Sequence, residues 1–197
     1  MNSLVNFFFI IVTAAIVENV VFARALATSH LMDRTRDFRN VLLLGGLMAI
    51  ISGLSAIFIW LIKGLAIFDN LRAYYLPLIY LACISVVYVL VCLALKKWRP
   101  EGFVALGSLL SGVAYSGAVF GIQIIASNEH FGFADTFAYA IGGALGVTIA
   151  LLMIISARER LNFSAVPRSF AGLPILLIYI GILSLAIYGL IGHQLAA

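Results

Sequence analysis

The sequence predicts an all-α polytopic membrane protein: six transmembrane helices laid out as an inverted 3+3 repeat, with helices one and four interrupted. Three observations predict it. Hydrophobic residues fill 64% of the 197 positions and charged residues only 10%, a balance foreign to soluble domains. The apolar residues fall into six continuous runs, each near the ~20 residues a helix needs to cross a bilayer. Polar or small residues break the first and fourth runs at corresponding places. A closed β-barrel also satisfies its backbone in lipid, but it needs short alternating strands, and these runs do not alternate.

The first run spans Leu4–Leu26 and carries Glu18 and Asn19 in its interior. Ala25-Leu26-Ala27 mimics a signal-peptide cleavage site. No Lys or Arg precedes the run, however, and Glu18 interrupts it, so it reads as a retained helix. The second run is Val41–Ile62. The third, Tyr74–Leu95, has Pro77 in its first turn, where proline is tolerated. Its Cys83 and Cys92 are nine residues apart, about 13–14 Å along a helix and on opposite faces. They cannot form a disulfide with each other or share a metal there, and they read as small buried hydrophobes. The fourth run, Phe103–Ala126, holds Gly112, Ser116, Gly117 and Gly121, which allow a break. The fifth, Phe133–Ser156, holds Gly142 and Gly146, whose spacing suits close helix packing. The sixth, Leu173–Ile191, has Pro174 in its first turn. Connections are short, so the chain is one integral membrane domain with halves near 1–97 and 98–197.

Lys and Arg set the orientation. Arg34, Arg36, Arg39, Lys96, Lys97, Arg99, Arg158, Arg160 and Arg168 follow helices one, three and five. Only Lys63 and Arg72 fall on the other side, which also carries Glu129 and Asp135. Nine against two predicts a multi-pass protein with both termini outside the cytoplasm. Three helices per half then insert the two halves oppositely. The same bias accounts for the net charge of +4, so no nucleic-acid partner is expected; the surroundings are membrane lipid.

A carboxylate in hydrocarbon costs roughly 2.5–3.5 kcal/mol and marks a functional site by default. Glu18 and Asn19 in helix one, with Ser116 and Gly117 in helix four, form the candidate ion pathway or midplane site, because paired interruptions point to the repeat interface. The plainer alternative is a buried hydrogen bond that pins helix one. Glu18 and Arg24 are poor direct partners on a straight helix, though a break near Asn19 weakens that argument. His30, His130 and His193 lack metal-ligand spacing and read as surface residues. Phosphate-loop, nucleophile-elbow and zinc motifs are lacking.

Val17-Glu18-Asn19-Val-Val-Phe-Ala-Arg24-Ala-Leu26 resembles the first helix of the Rnf/Nqr electron-transport membrane subunits, the RnfA/RnfE and NqrD/NqrE kinds. Ala157-Arg158-Glu159-Arg160, Val166-Pro167 and Gly172 resemble their loop after helix five. Ala118-Val119-Phe120-Gly121 and Tyr139-Ala140-Ile141-Gly142 fit between them in order. The charge bias leans toward the RnfA/NqrE orientation. The resemblance implies a bacterial inner-membrane subunit of a redox-driven ion translocase. Such subunits pair with a paralogue of opposite orientation, and the pair shares a two-iron two-sulfur cluster. The cluster's cysteine positions align here with Ser29 and Gly117, which supply no thiolate. The expectation is therefore a subunit with no cofactor of its own, in which Glu18 is the ionisable element. It would pair with an Rnf/Nqr-like membrane subunit or with a second copy. The alternatives are a stand-alone small-solute or cation transporter, or a structural subunit, on the same scaffold.

Overall fold

A computed structural model describes residues 2–26, 37–64, 75–98, 100–128, 131–162, 167 and 169–191. Ser29, His30, Arg34, Arg36, Arg72, Arg99, Glu129, His130, Arg168 and His193 lie outside the described residues. The described residues form helices α1 (Asn2–Val12), α2 (Val20–Arg24), α3 (Phe38–Lys63), α4 (Leu76–Trp98), α5 (Pro100–Ala114), α6 (Gly117–Asn128), α7 (Phe133–Asn162) and α8 (Leu173–Ile191). A π-helical turn, Thr13–Val17, extends α1. The predicted segments are all present. Segments one and four are each split, at Glu18-Asn19 and at Tyr115-Ser116.

Four stretches are long and apolar enough to cross a membrane: Phe38–Lys63, Leu76–Trp98, Leu109–Asn128 and Phe133–Leu161. Leu4–Val17 and Leu173–Gly189 are shorter apolar helices. One boundary differs from expectation. Helix five does not end at Ser156 but runs through Arg158-Glu159-Arg160 to Asn162. Arg, Glu and Leu are good helix formers, so the helix continues after the apolar run stops. At 30 residues it is about 45 Å long, well beyond the ~30 Å hydrocarbon layer.

α7 is the axis of the fold and packs antiparallel on α3. Gly45 faces Thr148, the Ser52 hydroxyl donates to the Ala140 carbonyl at 3.1 Å, and the Trp60 ring meets Phe133 at 5.1 Å. Arg39 therefore shares an end of the bundle with Arg158 and Arg160, while Lys63 lies at the other. α4 follows suit: Tyr80 pairs with Ser127 near the Lys63 end and the Tyr88 ring meets Tyr115 further along. Lys96 and Lys97, in its last turn, thus join the arginine end.

Gly121, Gly142 and Gly146 are close-approach seats. A methyl group on Gly142 would sit 2.6 Å from the Ile11 carbonyl oxygen, and one on Gly146 would sit 2.8 Å from that of Ala15. The α1–π segment thereby presses backbone-close onto α7. Leu26 packs against Gly117 and Gly121 of α6. The main core gathers residues such as Val21, Met48, Ile84, Leu110, Ile122 and Leu151. A satellite of Ile59, Tyr80 and Cys83 lies toward the Lys63 end. Cys83 and Cys92 are both free thiols, as their spacing predicted.

Candidate functional site

The break in helix one begins with the π-turn. The Glu18 amide donates to the Thr13 carbonyl at 2.9 Å, five residues back rather than four. Wide turns of this kind disturb the backbone ladder and recur at functional sites. Asn19 then repairs the break. It takes a non-helical conformation (φ −57°, ψ 114°). Its Oδ1 accepts from the Val21 amide at 3.0 Å, which makes it the N-cap of α2. Its Nδ2 donates to the Ala15 carbonyl at 3.0 Å and to the Gly146 carbonyl of α7 at 2.8 Å. One side chain thus serves the end of the π-turn, the start of α2 and the neighbouring helix, and it is buried at 3% exposure. α2 ends at Ala25, whose left-handed φ of 53° closes the helix with its amide on the Val20 carbonyl.

Glu18 faces the other way. It is exposed on the surface of the isolated chain. Its Oε2 accepts a 2.8 Å hydrogen bond from the hydroxyl of Tyr139 on α7, a residue 121 positions away. The Tyr139 ring is buried and stacks at a tilt on Phe131 at 5.8 Å. A buried phenol therefore aims a surface carboxylate.

The break in helix four is simpler. Ser116 is buried, and its hydroxyl accepts from the Val119 amide at 3.3 Å, a local N-cap for α6. Tyr115 beside it is exposed and leans on α4, where its hydroxyl donates to Ser85 at 3.4 Å. Gly117 opens α6, is exposed, and has Leu26 as its one close neighbour among the described residues. The half-helices that follow the two breaks, α2 and α6, touch each other.

The four expected site residues thus divide by task. Asn19 and Ser116 cap half-helices, Gly117 receives Leu26, and Glu18 presents a carboxylate outward. Two participants were missing from the expected site. Tyr139 was named only within the Tyr139-Ala140-Ile141-Gly142 resemblance and not as a site residue, because a tyrosine in an apolar run reads as core. Gln123 did give a signal, as the sole Asn, Gln or charged residue within Phe103–Ala126. It is buried at 1% exposure and donates to the Ser52 carbonyl at 2.8 Å and the Ser55 hydroxyl at 2.9 Å.

The two positions that the resemblance sets at the cluster ligands offer no thiolate. Gly117 has no side chain and Ser29 carries a hydroxyl. Cys83 is buried on α4 beside Ile59 and Tyr80, and Cys92 lies on the same helix. Among the described residues, no three His, Cys, Asp or Glu side chains converge on a common point.

The family described as Rnf-Nqr subunit, membrane protein, matches residues 7–193. The chain belongs to the Rnf-Nqr membrane-subunit family. Its relatives include the A-subunit of the Na(+)-translocating ferredoxin:NAD(+) oxidoreductase complex of Acetobacterium woodii, 30% identical over 95% of this chain and 97% of that protein. The A-subunit of the ion-translocating oxidoreductase complex of Cereibacter sphaeroides is 31% identical, with the same coverage of both chains. Its counterpart in Syntrophotalea carbinolica is 28% identical over 95% and 97%. The Rnf-Nqr match spans both breaks and the long α7, so the architecture described above belongs to a multi-pass bacterial membrane subunit.

Proposed function

We propose that this Rnf-Nqr subunit works in an ion-translocating electron-transport assembly without holding an iron–sulfur cluster of its own. In this reading it joins a paralogous membrane subunit through the surface around the helix-one break. The observation that carries the reading is the Glu18 carboxylate. It lies at a helix break inside a membrane-length segment, is exposed on the isolated chain, and is oriented by Tyr139. An ionisable group left to lipid is costly, so a partner protein or a water-filled path covers it in the assembly. The gap at Ser29 and Gly117 argues that electrons pass through other subunits, with Glu18 supplying a negative group on the ion's route.

The charge distribution supports an orientation with both termini outside the cytoplasm. Arg39, Lys96, Lys97, Arg158 and Arg160 gather at one end of the bundle, as the positive-inside rule asks of the cytoplasmic face. The absent thiolates also favour a second reading, a stand-alone transporter on the same scaffold. Purification from native membranes separates the two. Co-purification with redox-carrying subunits supports the complex, whereas a lone dimer that moves solute in liposomes supports the transporter. Glu18→Gln is the sharper test of the site. Coupled ion movement should fall about tenfold or more while the assembled protein keeps its yield, since tenfold is only ~1.4 kcal/mol against the ~2.5–3.5 kcal/mol carried by a charge within the membrane. Unchanged transport would remove Glu18 from the ion's route.

A further inference from the structure

Away from both breaks, at the end of the bundle opposite Arg158 and Arg160, α3, α6 and α7 enclose a small cleft. Trp60, Lys63, Gln123, Ser127 and Thr136 help to line it. The Gln123 amide is fixed by its neighbours. Nε2 donates to the Ser52 carbonyl and the Ser55 hydroxyl, and a carbonyl only accepts, so the reversed amide would set two acceptors face to face. Oε1 is then left buried with no protein partner. Native interiors almost always satisfy such a group, by a protein donor or by ordered water. The cleft that Gln123 lines has clear space for about one water molecule. Its other wall holds Lys63, whose ammonium donates to the Ser127 carbonyl, while the Tyr80 and Ser127 hydroxyls pair with each other. Water suits both walls, since it donates to Oε1 and its lone pairs accept from an ammonium.

We propose that this cleft is a hydrated vestibule, with a water held on Gln123 Oε1 at its floor and the Lys63 ammonium in its wall turning free cations away. Thr136 and Arg158 are 22 residues apart on one helix, about 33 Å of rise. The vestibule therefore opens on the membrane face opposite the arginine cluster. It has room for about one water and, with an ammonium in its wall, is a poor entrance for Na⁺, so a cation bound for Glu18 enters elsewhere.

Thiol accessibility in membrane vesicles carrying the whole assembly tests this. In a background of Cys83→Ala and Cys92→Ala, single cysteines are placed at Ala126, which is 2% exposed and lines the cleft, and at Thr148, which is 9% exposed and faces Gly45 in the core. Hydrogen peroxide, close to water in size, should oxidise Ala126→Cys about 100-fold faster than Thr148→Cys, read by mass spectrometry, because the reaction needs a solvated thiolate. Equal rates would mean a dry cleft and overturn the proposal. Adding Gln123→Leu should slow Ala126→Cys about tenfold by removing the water's acceptor; an unchanged rate would detach the water from Gln123. Lys63→Gln should slow Ala126→Cys several-fold, because a positive charge in the wall stabilises the thiolate, and an unaltered rate would end the cation-excluding role. Should Ala126→Cys fail to assemble, Thr136→Cys on the opposite wall gives the same readout.

Discussion

The two helix breaks share a plan and differ in what holds them. Each interrupts a membrane-length run and each begins its second half-helix with a polar cap, Asn19 or Ser116. At Asn19 the cap also reaches α7, through the 2.8 Å bond to the Gly146 carbonyl, and it closes a π-turn. At Ser116 the cap is local and long, 3.3 Å, and the neighbouring Tyr115 leans on α4. At one break a single side chain ties three elements together, and at the other the cap serves its own half-helix alone. The difference teaches that two helix breaks can share a backbone feature while only one has its capping side chain bonded to another helix. The carboxylate is found at the junction.

Substitutions can test that asymmetry. Asn19→Ala should have the largest effect. It strands the Gly146 and Ala15 carbonyls and the Val21 amide together, a loss of about 2–4 kcal/mol at ~1–3 kcal/mol per stranded buried group, with partial relaxation. Denaturant titration in mixed micelles reads it, and a loss below that of Ser116→Ala would break the comparison. Gly142→Ala comes next, at about 1–3 kcal/mol, because its methyl meets the Ile11 carbonyl and both helices must part. Gly112→Ala, with open space around it inside a helix, is the control and should cost nothing, gaining up to about 1 kcal/mol of helix propensity in the same titration. Ser116→Ala should cost about 0.5–1 kcal/mol, the low end for an N-cap. Tyr139→Phe should cost least, about 0.6 kcal/mol as for typical hydrogen bonds between membrane helices. It should nonetheless lower coupled transport in the direction of Glu18→Gln, since the carboxylate loses its guide. Full transport in Tyr139→Phe would mean that aim does not matter.

Much of this architecture was legible in the residues. Continuous apolar runs gave the spans, because lipid admits almost nothing but helices. The breaks could be placed because Glu18, Asn19 and Ser116 are residues that hydrocarbon does not tolerate without cause. Gly142 and Gly146 were read as packing seats, and the carbonyls of Ile11 and Ala15 fill them. The end of helix five was misplaced for a physical reason: hydropathy marks where lipid stops, not where the backbone ladder stops. The direction in which Glu18 faces was out of reach. It depends on an inserted π-turn, which shifts the phase of every following residue, and on a tyrosine 121 residues away. Gln123 could have been flagged as a lone amide among apolar neighbours, but its contacts with Ser52 and Ser55 span 71 and 68 residues and needed the fold.

The widened turn at Thr13–Val17 has a consequence of its own. It accommodates one more amino acid than the coil around it expects, and each residue of an ordinary coil turns the chain about 100°. Excising a single alanine there would leave hydropathy, charge and length almost untouched. It would nevertheless swing the acid roughly a quarter-turn away from its phenol and slide Asn19 off Gly146. In this segment an insertion or deletion of one unit is a graver change than most exchanges of side chain.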